Sequence, residues 1–382
     1  MTTPSRDSVH IARLRLTGFR NYASADVGLA SGLVVLTGEN GAGKTNLLEA
    51  VSLLTPGRGM RRATYGEMVS RDAPAGFAIH ATLGGSEEGS EIGKGAGAGG
   101  DDGDAGRRVR INGANATAES LMDLLRVSWL TPAMDALFTG PAGDRRRYLD
   151  RLVLAIDPQH GRRAQDYEKA MRGRNRLLAE DRADDRWLSA IEAQMAETGV
   201  AIAAARREAV TLMSQKIETL PEEGAFPRSD IAIEGDLETE VASAPAGEVE
   251  EAFQQRLAAS RGADRAAGRT LVGPHRSDLR VRHRPKAMDA EYCSTGEQKA
   301  LLVGMTLAHA RLTADVSGIK PILLLDEIAA HLDAGRRAAL FGILGDLGGQ
   351  VLMTGTDAAL FSSIADTAQF LTVAHGSVSP SA

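Results

Sequence analysis

The residues best suited to chemistry in this 382-residue chain are the run Gly38, Glu39, Asn40, Gly41, Ala42, Gly43, Lys44 and Thr45. They fit G-x-x-x-x-G-K-[ST], a pattern whose glycines let several backbone N–H groups turn toward one phosphate. Lys44 supplies a cation for the β- and γ-phosphates and Thr45 a hydroxyl for a metal ion, so ATP with Mg2+ is the expected cofactor. The pattern needs a strand before it and a helix after it. Leu33 to Leu36 are the short apolar run of a buried strand, and Leu47, Val51 and Leu54 carry helical spacing as far as Pro56. A helix starting there adds its positive end to the same site.

A second pair lies far along the chain. The apolar run Ile322 to Leu325 reads as a buried parallel strand and ends in Asp326 and Glu327. Open α/β sheets bind ligands at the carboxyl ends of their strands. There Asp326 can hold Mg2+, directly or through water, and Glu327 can polarise an attacking water. Apolar strands ending in acid are common, and the pairing with a phosphate loop is what gives this one meaning.

Ser294, Thr295, Gly296, Glu297 and Gln298 open a helix with Leu301, Met305, Ala308 and Leu312 on its inner side. Ser294 and Glu297 have the spacing of a capping box, while a helix start with serine and glycine is also an anion site. Both readings hold together. The stretch resembles the signature of ABC-type ATPases, and His331, Leu332 and Asp333 are similar to the D-loop of that class. The resemblance implies that Ser294, Gly296, Gln298 and Asp333 meet a nucleotide bound by a second subunit. One chain has one set of these motifs, so the implied working unit is a homodimer with two ATP molecules, closed by nucleotide binding.

Composition limits the alternatives. With 44 Lys plus Arg against 50 Asp plus Glu, the net charge of −6 excludes a basic field over the whole surface, so any nucleic-acid contact must be local. A single cysteine forbids an intramolecular disulfide, and 4% aromatic residues argue against base-stacking platforms. No apolar run approaches the roughly 18 to 20 residues that cross a bilayer, and the first residues lack the apolar core of a secretory signal. A cytoplasmic protein with no membrane partner is expected.

The elements divide the chain into three stretches: 1–130, 131–265 and 266–382. The outer two carry strands and the nucleotide motifs. The middle one turns helical from about Asp144 to Thr219, with Tyr148, Leu152 and Ile156 on one inner stripe and Trp187, Ile191 and Met195 on another. A short strand at Ile231 to Ile233 and a helix with Val249, Phe253 and Leu257 follow. The expected fold is α/β: an ABC-type ATPase head, a P-loop NTPase of mixed sheets with flanking helices, interrupted by an inserted and mainly helical second lobe. Residues of about 84–106, rich in Gly and Asp, are expected to form a flexible hairpin tip.

Such heads serve transport ATPases, long coiled-coil chromosome proteins of the SMC kind and compact DNA-repair ATPases. Thr45 and Ser294 stand 249 positions apart, more than a transporter subunit usually needs and too few for a long coiled coil. Thr354, Gly355, Thr356 and Asp357 follow the last core strand where transporters have a switch histidine, leaving Thr354 or Thr356 as the candidate γ-phosphate sensor.

Other segments point further. Gly18 to Tyr22, Gly140-Pro141 with Arg145 to Asp150, Gly273 to Leu279, and Leu325 to Asp333 occur in the order and spacing of the RecF family, which this chain resembles from about residue 11 to 357. The resemblance implies a recombination mediator and slow, DNA-stimulated ATPase. It would dimerise on ATP, bind duplex DNA near single-strand gaps, and work with RecR and RecO to load RecA in gap repair, replication restart and the SOS response. Residues 140–180 hold ten Lys or Arg against six Asp or Glu, and Arg58, Arg61 and Arg62 follow the first helix, so these arginines are candidate phosphate contacts. His275, Arg276 and Asp278 lack a nucleophile at usable spacing and read as a structural or nucleotide-sensing turn. Cys293 reads as a small buried hydrophobe.

Overall fold

A computed structural model describes residues 9–71, 76–85, 89–97, 107–180, 184–222 and 224–381. The chain divides into two compact units, one made of Met1–Asp135, Glu222–Pro227 and Ser294–Ala382, the other of Ala136–Pro221 and Arg228–Cys293.

In chain order the first unit begins with strands β1 (His10–Phe19), β2 (Tyr22–Gly28), β3 (Leu33–Thr37), β4 (Gly76–Gly84), β5 (Glu91–Gly97), β6 (Arg107–Ile111), β7 (Ala114–Ala116) and β8 (Val127–Leu130). The second unit holds β9 (Ser229–Glu234), β10 (Asp278–His283) and β11 (Met288–Asp289). The chain then returns to the first unit with β12 (Ile322–Leu325), β13 (Val351–Gly355), β14 (Gln369–Ala374) and β15 (Ser377–Pro380).

Two sheets form the first unit. One is antiparallel, ordered β2-β1-β4-β5-β6-β7, and alternates inward apolar with outward polar residues, as in β1, where Leu14 and Leu16 are buried between exposed arginines. The other is ordered β15-β14-β3-β13-β12-β8, with parallel pairing throughout except at β15. Its central strands β3, β12 and β13 are buried along their whole length, as strands covered on both faces must be. The helix Lys44–Ser52 buries Leu47, Leu48 and Val51 in the same core. Parallel register brings the carboxyl ends of β3, β13 and β12 together, and every nucleotide motif of the strand ends sits there.

The second unit is built on three helices, Ala142–Ile156, His160–Leu178 and the 34-residue Asp185–Glu218. Tyr167, Met195, Val200 and Phe253 share its core. Gly199 permits that packing, since a Cβ there would come within 2.9 Å of Phe253 and 3.2 Å of Tyr167. Trp187 does not join the inner stripe: it is 65% exposed, and Leu188 takes the inward position above Ile191 and Met195. Among the described residues no helix is long and apolar enough to cross a membrane.

Two expectations about the chain's organisation are corrected. Residues 266–293 were expected in the head, but β10 pairs along its length with β9, which places this segment in the second unit. The stretch 84–106 is not all hairpin tip, because β5 lies inside it and pairs with both β4 and β6. Ile92 and Lys94 explain the strand: the first fills the core, and the second donates its buried ammonium to the carbonyls of Leu53 and Thr55. Those carbonyls close the helix Lys44–Ser52, where a cation is favoured. The rest of the expected tip, 86–88 and 98–106, lies outside the described residues.

Candidate nucleotide site

The phosphate loop is shaped by its glycines and by the segment that precedes it. Gly38 has φ +147°, and a Cβ there would stand 2.2 Å from the carbonyl oxygen of Val373. Gly43 has φ +118°, and a Cβ there would meet Asn21 Nδ2 at 2.6 Å and the Tyr22 hydroxyl at 2.9 Å. Only glycine fits either position without displacing its neighbour. Asn21 and Tyr22 buttress the loop directly, donating to the carbonyls of Ala42 and Gly43 at 3.0 Å each. Asn46 donates in turn to Asn21 at 2.7 Å. The sequence showed Gly18 to Tyr22 only as part of a resemblance; here Asn21 and Tyr22 of that segment fix the loop.

Gly43 caps the helix Lys44–Ser52 without a side-chain bond, and its first turn carries no acidic residue. The first N–H groups of that helix are therefore not taken by a side-chain cap, the arrangement that accepts an anion. Lys44 folds back over the loop, donating to the carbonyls of Gly38 and Glu39 at 2.7 and 2.8 Å. Burial pushes its ammonium below the ordinary value, and Glu327 and Asp326 partly offset that. A phosphate would give this buried cation a counter-charge.

From the neighbouring strands come the carboxylates. Thr45 Oγ1 donates to Asp326 Oδ1 at 3.0 Å, so hydroxyl and carboxylate stand together although 281 positions apart in sequence. Thr354, fully buried at the end of β13, donates to the same oxygen at 2.7 Å. Its hydroxyl also accepts the backbone N–H of Glu327 at 2.8 Å. Glu327 adopts φ 52° and ψ 25°, a left-handed conformation unusual for a residue with a Cβ. Thr354 thus ties the position of Asp326 to the backbone of Glu327. With no exposed surface, Thr354 does not reach a γ-phosphate as a sensor; its work is to place the two carboxylates.

The oxygens of Thr45 and Asp326 fit Mg2+, a hard cation that takes few protein ligands and completes its shell with water and phosphate. Among the described residues no group of three or more His, Cys, Asp or Glu forms a cage for a metal.

The signature set is placed elsewhere. Ser294 caps the helix Thr295–Ser317, and its N–H donates to Glu297 at 3.0 Å, so the capping-box reading is realised. Ser294 and Gly296 are exposed, and a Cβ on Gly296 would meet only Arg336, at 4.0 Å. Arg336 bridges this motif to the other: its side chain donates to the Gly296 carbonyl at 3.3 Å, and its N–H donates to Asp333 at 2.9 Å. Asp333, held below the ordinary carboxylate range by that backbone bond, caps the helix Ala334–Leu347. Gln298 departs from expectation. It is buried, because the fourth helical position turns inward, and does not share the exposed face of Ser294 and Gly296. Among the described residues Ser294, Gly296 and Asp333 make no hydrogen bond or ion pair with residues 38–45.

The candidate phosphate contacts are unequal. Arg145 clamps Asp278 through two bonds of 2.7 and 2.8 Å, and Arg146 donates to the Ser277 carbonyl at 2.7 Å. The paired motifs at 140–150 and 273–279 therefore hold the second unit together. Arg61 reaches back to Asn46 at 2.5 Å and to the fully buried Glu49 at 3.3 Å, a carboxylate that Arg20 also binds. Cys293 is buried, as expected.

The family model of the RecF/RecN/SMC N-terminal domain matches residues 10–379. The DNA replication and repair protein RecF of Mesorhizobium japonicum is 67% identical over 97% of this chain and 98% of its own length. A structure of the recombination mediator protein RecF with ATP, from the RecFOR pathway, covers 98% of both chains with a TM-score of 0.84 at 23% identity. The Smc head of Pyrococcus furiosus covers 97% of this chain and 95% of its own, with a TM-score of 0.54 at 15% identity, so the fold is that of an ABC-type ATPase head. Phosphate loop, strand-end carboxylates and separate signature thus lie in a chain that belongs to the RecF family of DNA replication and repair proteins.

Proposed function

We propose that this chain is an ATP-controlled DNA clamp that acts as a recombination mediator. ATP occupies the loop 38–45, with its phosphates on the first N–H groups of the helix and on Lys44. Mg2+ is held by Thr45 and Asp326, and Glu327 orients the water that attacks the γ-phosphate. Hydrolysis is slow, stimulated by DNA, and serves as a switch. The observation that carries this reading is the division of the site: one half at the ends of β3, β12 and β13, the other on the exposed pair Ser294 and Gly296 with Asp333. The second half completes the first in a partner copy, so ATP closes a homodimer.

The closed dimer binds duplex DNA without reading sequence, near single-strand gaps, and with RecR and RecO helps load RecA. The name of the relatives and the pathway named for the ATP-bound structure support this part. Fluorescence anisotropy on gapped, duplex and single-stranded oligonucleotides, with and without ATP, tests it. ATP-dependent binding that favours gapped or plain duplex over single strands is expected; indifference to ATP or preference for single strands would overturn it.

A further inference from the structure

One turn of the second unit is held more firmly than its three residues require. Pro274–Arg276 form a single 3-10 turn. The Pro274 carbonyl accepts Arg206 at 2.6 Å, and Arg206 also clamps Asp150 at 2.8 and 2.9 Å. His275 is gripped through both ring nitrogens, by the Tyr167 hydroxyl and the Thr270 carbonyl, each at 3.0 Å. Burial, and then Arg276 and Arg146, keep that imidazole below its ordinary value, so it is neutral with its proton on Nε2 and is no free base. Ser277 gives its hydroxyl to Glu238 at 2.7 Å and its carbonyl to Arg146, and Asp278 is taken by Arg145.

Around the turn Asp150, Glu238 through Oε1, and Asp278 are thus already engaged. Arg276 is exposed; its N–H donates to the Gly273 carbonyl at 2.9 Å, and among the described residues its guanidinium makes no hydrogen bond or ion pair. Beside it Arg146 spends one nitrogen on the Ser277 carbonyl and keeps the rest of its fork. Burial first, and then the charges of Arg206 and Arg276, hold the Arg146 guanidinium below its ordinary value. A rigid turn therefore carries two neighbouring guanidinium groups, neither with a carboxylate of its own. Holding like charges together costs energy, which an oxyanion placed between them returns, and the planar fork of arginine matches phosphate oxygens in pairs.

We infer that Arg276, with Arg146 beside it, forms a phosphate-binding site that takes a backbone phosphate of duplex DNA. This rests on the reading that the chain binds duplex. Such a contact fixes position on the duplex and carries no sequence information. It also confines the contact to one spot of a chain whose net charge is −6.

The test is anisotropy of the full chain with ATP and Mg2+ on a duplex oligonucleotide over a series of salt concentrations, for wild type, Arg276→Ala and Arg276→Lys. Arg276→Ala should lower the magnitude of the log–log salt slope by about 0.9, the value for one phosphate. It should weaken binding about tenfold, as loss of one charge-assisted bond does. Arg276→Lys should keep the slope and lose part of the affinity, and because the Arg276 side chain makes no hydrogen bond or ion pair among the described residues both variants should melt with the wild type. Wild-type binding with an unchanged slope and affinity in Arg276→Ala would overturn the inference and leave the proposed function standing. A wild type that ignores duplex would overturn both. Thermal stabilisation by millimolar inorganic phosphate that Arg276→Ala lacks, with DNA binding unaltered, would overturn the backbone assignment and give the site to free phosphate.

Discussion

Replacing Thr354 by valine keeps the shape of the side chain and removes one hydroxyl. That hydroxyl serves two groups at once, the buried carboxylate of Asp326 at 2.7 Å and the partly buried N–H of Glu327 at 2.8 Å. Leaving buried polar groups without this partner costs about 1 to 3 kcal/mol, which for a unit of this size lowers the melting temperature by about 2 to 10 °C. The effect on chemistry follows from the backbone of Glu327, whose left-handed conformation costs about 1 to 3 kcal/mol and persists only because its surroundings hold it. Releasing 1 to 2 kcal/mol of that restraint reduces the fraction of molecules with Glu327 in place by about 5- to 30-fold. Single-turnover ATP hydrolysis should therefore fall by that factor. Nucleotide affinity should change much less, because Lys44 and the loop N–H groups do not involve Thr354. Thr354→Ser keeps the hydroxyl and should restore most of the rate. A valine variant that hydrolyses ATP within twofold of wild type, or a serine variant as slow as the valine one, would refute the reasoning.

Lys44→Met should abolish nucleotide binding in a fluorescent-nucleotide titration while the fold, read by circular dichroism, persists. Gly43→Ala should weaken binding at least tenfold in the same titration, because the added methyl cannot coexist with Asn21 and Tyr22. At Asp150 burial acts to raise the carboxyl, but Arg206 and His160 outweigh it and hold it well below the usual carboxylate range. A lowered carboxylate contributes stability that is complete above its unfolded value of about 3.9 and is lost as pH falls toward the native one. Melting of the wild type should thus drop progressively below about pH 4, while Asp150→Asn should melt lower at pH 7 and show a shallower fall on acidification.

Much of the nucleotide site was legible because its parts are local. A phosphate loop is one contiguous run between a strand and a helix, and Asp326 and Glu327 follow one apolar strand, so residue types and order suffice to find them. What failed to show were the contacts made across the sheet. Nothing near Thr354 in sequence marks it as the partner of Asp326 and Glu327, since the register of β12 against β13 creates that contact. Lys94 hid for a different reason: a seven-residue strand with Gly93, Gly95 and Gly97 resembles a linker until Ile92 fills the core and Lys94 finds carbonyls to bind. The arginines of 140–150 show the limit of charge counting. Their number suggested a surface for phosphates, yet Arg145 is spent on the Asp278 carboxylate and Arg146 gives one nitrogen to the Ser277 carbonyl, while the neighbouring exposed guanidinium of Arg276 lies outside the counted stretch.

The central claim is that ATP joins two copies of this chain through the loop of one and the signature of the other. Sedimentation velocity in saturating ATP and Mg2+ tests it most directly, comparing Glu327→Gln with the double variant that also carries Ser294→Arg. The first should run as a dimer with ATP and as a monomer without it, and the second should bind ATP equally well yet remain a monomer. A double variant that dimerises like its parent would contradict the account.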